Sequence, residues 1–305
     1  MDSLLQNIIS KIEVLNPLHG KKLKKNLQGL EPDYFKRAAL FFNKYEKFVH
    51  TLGRDLDYGI ECYLTMLADV MYEQVRFLET GVYSSKSFQE VQQRVYSNPE
   101  VMEYYMHGLM LSNFLWVHHY RMLSFFVDAL PRYRETTRRY LEIGGGHGLY
   151  LSEALAVLDG GTAFEVIDIS ERSLEISKLF VDSHKVRFIL GDIYAFEAGE
   201  KYDFITMGEV LEHVEEPVKL LERVHDLLTN QGHIFITVPI NSPAIDHIYL
   251  FRSTQEIRDA INAAHLEIVE EKSLCAENVP EEKAEELRIT ILYGALLKKI
   301  HARRR

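Results

Sequence analysis

The chain has 305 residues, of which 47% are hydrophobic and 26% are charged, and this composition excludes collagen-like, mucin-like and wholly disordered proteins. The net charge is −10, and its whole acidic excess lies in the second part of the chain. Residues 1–135 hold 16 basic and 16 acidic side chains, whereas residues 136–305 hold 19 and 29. An acidic half argues against a nucleic-acid partner, because binding to phosphates depends on basic residues, and it favours a cationic small ligand.

No stretch of the sequence is apolar enough over about 20 residues to span a bilayer, and the first residues lack a signal-peptide pattern. We therefore expect a cytoplasmic protein with no membrane partner. Two cysteines, Cys62 and Cys275, are too few for a disulfide scaffold or a four-cysteine zinc site. Both are predicted to be buried thiols.

Residues 1–135 have the periodicity of helices and few signals for strands. Apolar side chains recur three or four positions apart in the first helix: Leu4, Ile8, Ile12 and Leu15. Further helices are predicted at 59–79, 87–95 and 99–129. Gly81 is predicted to end the first of these, and the Asn98-Pro99 pair to open the last. The sequence thus predicts an all-α N-terminal domain at 1–135.

Beyond Pro131 the pattern changes to short apolar strands separated by glycine turns and amphipathic helices. This alternation is typical of an α/β domain with a mostly parallel sheet, predicted at 136–305. After the first strand, which ends at Ile143, four more strands are predicted at 164–167, 186–190, 202–207 and 232–238.

The most informative stretch is the glycine-rich loop that follows the first strand. Glycines at 144, 146 and 148 permit a tight turn and let a ligand approach the backbone at the start of a helix. A dinucleotide fingerprint does not fit, because Leu149 stands where its last glycine belongs. The spacing is instead E-x-G-x-G-x-G, starting at Glu142, and it predicts a loop for a nucleotide-type ligand.

This spacing resembles the first motif of the class I S-adenosylmethionine-dependent methyltransferases, and the later motifs follow in the family's order. Asp168 ends the second strand, where a carboxylate can accept both hydroxyls of a ribose. Gly191-Asp192-Ile193, after the third strand, is similar to the family's adenine-binding motif. The resemblance implies S-adenosyl-L-methionine as the cofactor, bound by Glu142, Gly144, Gly146, Gly148, Asp168, Ile169, Asp192, Ile193 and Met207.

The resemblance covers about residues 136–305 and implies a Rossmann-like fold with a seven-stranded mixed sheet. It implies a turn at Leu227–Gly232 before the fifth strand, a sixth strand at Leu266–Lys272 and an antiparallel seventh strand at Arg288–Leu297. Helical N-terminal domains of the family's natural-product O-methyltransferases build dimers, and a homodimer is expected here by analogy.

An E-x-x-E-H group follows the fourth strand, at Glu209, Glu212 and His213. It looks like the divalent-ion motif of the small-RNA 3′-end methyltransferases and of the ubiquinone-pathway O-methyltransferases, with His247 as a fourth ligand. Carboxylate and imidazole ligands together suit Mg²⁺, Mn²⁺, Fe²⁺ or Zn²⁺. Two alternatives remain: His247 acts without metal as a general base or substrate contact, or it is structural. Candidate catalytic residues are therefore His247, His213 and Glu209.

The helical domain is expected to select the substrate, as a lid over an aromatic-lined pocket. Core packing is the alternative explanation for most of its apolar side chains, whereas a histidine is costly to bury without a partner. The candidate substrate-binding residues are Met106, Trp116, His119, Tyr120 and, beside His247, Asp246.

The sequence therefore predicts a methyltransferase that acts on a hydrophobic or aromatic small-molecule acceptor, at oxygen, in secondary or specialised metabolism. One alternative is N-methylation of a small amine, which needs no metal. A second is RNA 3′-end methylation, which the acidic half disfavours. The third is a non-catalytic cofactor-binding scaffold, which the intact glycines and acids disfavour.

Overall fold

The computed structural model describes residues 3–158 and 160–300, with the exception of the Ser3 side chain. Its first part is helical, as predicted. The helices are α1 (Ser3–Leu15), α2 (Pro17–Leu27), α3 (Pro32–Thr51), α4 (Leu56–Thr80), α5 (Phe88–Val91), α6 (Pro99–Leu115) and α7 (Val117–Ala129), with a π-helical turn at Gln92–Tyr96 and a 3₁₀ turn at Leu130–Tyr133.

The predicted start and stop signals of two helices are confirmed. Gly81 ends α4 in the left-handed conformation, with φ of 73°, and its N–H donates to the Phe77 carbonyl. Asn98 caps α6 by accepting from the N–H groups of Glu100 and Val101, with Pro99 in the first turn. Local sequence is sufficient to position these boundaries.

The prediction of one helix over 99–129 is wrong, because the chain breaks at Trp116 into α6 and α7. Trp116 has extended backbone angles, φ −105° and ψ 124°. Its indole N–H donates to the Tyr63 hydroxyl at 2.8 Å. A tertiary contact, with no glycine or proline nearby, therefore accompanies the change of direction.

The second part contains the predicted seven-stranded mixed sheet, with strand order β3-β2-β1-β4-β5-β7-β6. Strands β1 to β5 are parallel, whereas β7 runs antiparallel to both β5 and β6. The strands are β1 (Arg139–Ile143), β2 (Ala163–Asp168), β3 (Val186–Leu190), β4 (Tyr202–Gly208), β5 (Leu228–Ile240), β6 (Leu266–Cys275) and β7 (Ile291–Lys299). The helices of this part are α8 (Leu149–Leu158), α9 (Glu171–Val181), α10 (Pro217–Leu227), α11 (Thr254–Ala263) and α12 (Glu281–Glu286).

The turn predicted at Leu227–Gly232 is wrong, since β5 already begins at Leu228. Leu228 pairs with Tyr202, and the pairing then jumps to Phe204 and His233. The extra residues form an irregularity inside the strand rather than a turn before it.

Two buried clusters cover the two faces of the sheet. One joins side chains of the helical part, such as Phe42 and Phe126, to Tyr140, Phe204 and Phe235 of the sheet. The other packs α10 and α11 against the opposite face, through Leu220, Ile257 and Ile205 among others. The helical part therefore shares its core with one face of the sheet.

Cys62 is buried as predicted, whereas Cys275 is only half-buried, so the prediction of a buried thiol there is wrong. Among the helices of the described residues, none combines the length and apolar character that crossing a membrane requires.

Candidate active site

A cavity of about 540 Å³ lies at the carboxyl ends of the parallel strands. The loops that follow β1, β2, β3, β4 and β5 all contribute residues to its wall, and α6 contributes another side. The carboxyl edge of a parallel sheet is where open α/β folds bind ligands, and the volume suits a small-molecule site.

The glycine-rich loop and the end of β2 are held together at this edge. Gly144 and Gly146 have positive φ, 67° and 49°, and a Cβ on Gly144 would lie 2.7 Å from Val210. The Asp168 carboxylate accepts the N–H of Gly146 at 3.0 Å and that of Ser170 at 2.8 Å. Larger residues would fill the cradle that the two glycines leave open.

Two buried carboxylates, Glu142 and Asp168, give the cavity its electrostatic character. Burial raises the pKa of Glu142 to about 8, although the Tyr140 hydroxyl donates to it at 2.8 Å. Burial also raises the pKa of Asp168, against the N–H groups of Ser170 and Gly146. A cationic ligand would stabilise the ionised forms of both carboxylates, so the two side chains fit the sulfonium charge of S-adenosylmethionine.

The other predicted cofactor residues divide into two groups. Ile169, Asp192 and Ile193 line the cavity. Gly148 instead lies against Ser177, and Met207 is fully buried in the sheet, so neither is part of the lining.

Glu209 follows β4 directly and has a left-handed backbone, with φ of 52°. Its N–H donates to the carbonyl of Thr237 at 2.9 Å and to the hydroxyl of the same residue at 3.1 Å. Its side chain lines the cavity, where burial and the neighbouring Glu212 raise its pKa to about 8. The two hydrogen bonds that Glu209 donates to Thr237 of β5 thus hold it in a conformation that glycine usually adopts.

Glu212, His213 and His247 come together beside the cavity. Glu212 is fully buried, and neither of its carboxylate oxygens has a hydrogen-bond partner. Its Oε1 lies 3.4 Å from Nε2 of His213 and 3.9 Å from Nε2 of His247. The three side chains offer ligand atoms within 4.8 Å of one another, and this group does not include Glu209.

The two imidazoles of this group differ in protonation. His247 donates from Nδ1 to the Ser242 carbonyl at 2.6 Å, which leaves the lone pair on Nε2, and burial lowers its pKa. Burial would also lower the pKa of His213, but the Asp246 and Glu212 carboxylates raise it to about 10. Without a metal, a charged His213 therefore balances Glu212.

One stripe of α6 forms the apolar side of the cavity, with members three or four positions apart: Met102, Tyr105, Met106, Leu109 and Asn113. Of the predicted substrate residues, Met106, His119 and Asp246 line the cavity. Trp116 packs instead on Tyr63, and Tyr120 on Tyr34, outside the lining.

A segment that we call the strap, residues 83–98, joins the helical part to the loops that carry His213 and His247. The Tyr83 hydroxyl accepts the Ser242 N–H at 3.0 Å, and the Phe88 N–H donates to Glu215 at 2.7 Å. The Tyr96 hydroxyl lies 2.9 Å from Nδ1 of His213.

Sequence reasoning missed several residues that line the cavity, and only some of them carry a signal. The spacing of the α6 stripe identifies Met102 and Leu109 once Met106 is chosen, because they lie four positions before it and three positions after it. Tyr96 has no comparable signal, because tertiary packing alone brings it to the site, whereas His147 lies inside the glycine-rich motif and was not chosen.

Parts of this chain are similar to known proteins. A methyltransferase-domain family matches residues 116–278. The ubiquinone biosynthesis O-methyltransferase of Leptothrix cholodnii is 31% identical over 110 residues, which cover 34% of this chain and 46% of that protein. The mitochondrial ubiquinone biosynthesis O-methyltransferase of Candida albicans is 33% identical over 102 residues, which cover 32% and 31%. The chain thus spans less than half the length of these relatives.

Among solved structures, the mitomycin 7-O-methyltransferase MmcR superposes with a TM-score of 0.52 at 12% identity, covering 76% of this chain and 68% of that one. This similarity shows the fold. With the family match over more than half of the chain, the chain belongs to the class I S-adenosylmethionine-dependent methyltransferases.

Proposed function

We propose that the protein methylates a hydroxyl oxygen of a hydrophobic or aromatic small molecule, with a divalent cation bound by Glu212, His213 and His247. The observation that carries the proposal is Glu212, a fully buried carboxylate whose oxygens have no hydrogen-bond partner and which lies between two imidazoles. A buried carboxylate without hydrogen bonds is costly even beside a charged His213, and a divalent cation bound by the three side chains would supply the missing contact. Oxygen as the acceptor atom is supported by relatives named as O-methyltransferases.

In the reaction that we propose, a C–O bond to the acceptor forms as the C–S bond of the sulfonium breaks, leaving S-adenosylhomocysteine. The chain's main contribution is alignment: the glycine loop, Asp168 and Glu142 hold the cofactor so that its methyl group faces the acceptor. The acceptor hydroxyl must lose a proton, and we assign Glu209 as the group that takes it. A divalent cation supplies a lowered pKa for a hydroxyl that contacts it.

Elemental analysis and calorimetry together test the metal. We expect the purified protein to hold close to one divalent ion per chain, and Glu212→Gln to lose it. Chelation should change the affinity for S-adenosylhomocysteine by no more than about twofold, because the proposed cofactor residues lie outside the triad of Glu212, His213 and His247. Glu216→Gln is the matched control, since Glu216 lines the cavity but is not part of the triad. Full turnover in metal-free protein would contradict the proposal.

Product analysis tests the acceptor atom. Incubation with labelled S-adenosylmethionine and catechol should give an O-methyl product, and His247→Ala should depress turnover while leaving S-adenosylhomocysteine binding nearly intact. Methylation of amine acceptors alone would favour the N-methyltransferase alternative instead.

The homodimer, the cytoplasmic location and a role in specialised metabolism stay predictions. Exposed apolar side chains on α4, namely Met71, Tyr72, Val75 and Leu78, support self-association. Sedimentation velocity of the wild type and of Tyr72→Glu tests the dimer, which the variant should weaken.

A further inference from the structure

The junction between α1 and α2 exposes three apolar side chains, Val14, Leu15 and Leu18, which we call the apolar corner. Leu18 and Val14 are 85% and 80% exposed, more than any other large apolar side chain of the described residues, and Leu15 is 61% exposed. A side chain in a groove is shielded by the walls of the groove, so exposure at this level shows that these side chains protrude. Single exposed apolar residues are ordinary, whereas three at one junction indicate an interaction surface.

The apolar corner is held in place by the fold. The Asn16 side chain caps α2 by accepting the N–H of His19 at 3.2 Å. A Cβ on Gly20 would lie 2.3 Å from Cα of Glu13, so α1 and α2 are in direct contact behind the corner. Nε2 of His19 lies 2.6 Å from the Tyr63 hydroxyl, which ties α2 to α4. The three apolar side chains therefore project from a fixed junction of two helices.

Lysines lie on the same face of α2 as Leu18. Lys21, Lys22 and Lys25 follow Leu18 by three, four and seven positions, and all of them are exposed. At 3.6 residues per turn, the three lysines point within about 60° of Leu18 and begin within about 11 Å of it along the axis. The buried side of α2 lies opposite. One face of α2 thus combines an apolar side chain with a cluster of positive charges.

This positive charge stands out in an acidic chain. Residues 3–27 hold five lysines and one acidic residue, whereas the net charge of the whole chain is −10. Lys22 pairs with Glu277 at 2.5 Å, and Lys11 pairs with Asp57. The remaining lysines of this region form no ion pair with any described residue: Lys21, Lys24 and Lys25. Their charges are available to an anionic partner.

We propose that the apolar corner and the lysines of α2 bind the surface of a lipid bilayer with anionic headgroups. Apolar side chains next to lysines suit such a surface, because the apolar groups enter the acyl boundary while the ammonium groups meet lipid phosphates. A bilayer accepts protruding apolar side chains without a complementary pocket. A nucleic acid would use the lysines and leave the apolar corner in water.

This inference does not depend on the proposed function. It replaces the expectation of no membrane partner, which was drawn from the lack of a spanning segment and did not consider contact with a membrane surface.

Cosedimentation with vesicles tests the proposal, with the full chain and without cofactor or acceptor. We expect the wild type to bind vesicles of equal parts phosphatidylcholine and phosphatidylserine, and not vesicles of phosphatidylcholine alone. Leu18→Ser should weaken binding about tenfold or more, because an apolar side chain no longer leaves water. Lys21→Gln combined with Lys25→Gln should have a similar effect, at about fivefold for each lysine.

Lys178→Gln combined with Leu179→Ser is the matched control, because these neighbours are both exposed on α9, and it should bind like the wild type. Failure of the wild type to bind the anionic vesicles overturns the inference. Wild-type binding by Leu18→Ser, or an equal loss in the control, overturns it too, since the contact would then not be made by the apolar corner.

Two other partners would give different results, and each would contradict the proposal. A second copy of this chain would be indicated by self-association in sedimentation velocity that Leu18→Ser abolishes, with no binding to vesicles. An acidic protein segment would be indicated by binding of soluble polyglutamate that Leu18→Ser retains, again with no binding to vesicles.

Discussion

At the scale of single residues, Asp168 connects the sheet to the glycine-rich loop. Its carboxylate accepts the N–H groups of both Gly146 and Ser170. We expect Asp168→Ala to weaken binding of S-adenosylhomocysteine about 10- to 100-fold, because hydrogen bonds to a charged group are lost together with the order of the loop. Calorimetric titration measures the change.

Asp226→Asn, which replaces an exposed aspartate outside the cavity lining, is the control and should keep the wild-type affinity. Unchanged binding by Asp168→Ala would show that the strand-end acid has no part in the cofactor site.

The glycine-rich loop was predictable because its signal is local. Glu142, Gly144, Gly146 and Gly148 lie within seven consecutive residues. Tyr96, by contrast, reaches His213 across 117 positions of chain, and no spacing in the sequence encodes that contact.

At the scale of helices and strands, the close approach of α4 and α6 depends on a glycine. A Cβ on Gly108 would lie 2.7 Å from Cβ of Met66, an atom attached to the backbone of α4. Alanine favours a helix by about 1 kcal/mol over glycine, but separating the two helices costs about 1–3 kcal/mol. We expect Gly108→Ala to lower the free energy of unfolding in urea.

Gly29→Ala is the matched control, because a Cβ at Gly29 has no neighbour within 4 Å. A Gly108→Ala variant as stable as this control would show that separating α4 and α6 costs no more than the helix propensity that alanine adds.

Glu103 of α6 ties the helical part to α9 through Arg172, with Nε to Oε2 at 2.6 Å. Burial would raise the pKa of Glu103, but His107, Arg172 and Tyr58 around it lower the pKa to about 2. A carboxylate with a folded pKa below its unfolded value adds stability above the unfolded value, near 4.3, and loses it as the pH falls towards 2. Glu103→Gln should therefore melt below the wild type at pH 7, by a margin that shrinks between pH 5 and pH 3.

Melting curves across that range provide the measurement, and Glu100→Gln, an exposed position on the same helix, is the comparison. A constant difference between Glu103→Gln and the wild type at every pH would contradict the assigned charge.

Helices and strands were predicted well where apolar residues recur regularly. They were predicted poorly where a contact with a residue far away in sequence determines the boundary. The strands and the antiparallel β7 followed from apolar runs and from the family resemblance. The break at Trp116 depends on Tyr63, 53 positions earlier, and the irregularity in β5 depends on pairing with β4. Leu228–Gly232 contains turn-forming residues, and the pairing of Leu228 with Tyr202 on one side and of His233 with Phe204 on the other includes the segment in β5 as an irregularity.

At the scale of the whole molecule, the helical part and the sheet share one buried cluster. The boundary predicted near residue 135 divides sequence motifs but not this core. We expect one cooperative unfolding transition, because loss of the helices would expose a face of the sheet. Trp116 is the single tryptophan and lies in the helical part, so its fluorescence and the far-ultraviolet circular dichroism should change at the same urea concentration.

Two separated transitions would show instead that the helical part unfolds on its own. The same experiment with Gly108→Ala should shift both signals together, since its effect reaches the sheet through the shared core.

The left-handed backbone of Glu209 has a consequence for the sequences that this fold accepts. Such a conformation costs a residue with a side chain about 1–2 kcal/mol, and glycine would remove that strain. A library selected for folding alone should therefore accumulate glycine at position 209, whereas selection for methyl transfer should keep glutamate. The two selections should therefore enrich different residues at position 209. The residue found there in each pool would show whether the variants had been selected for methyl transfer or for folding.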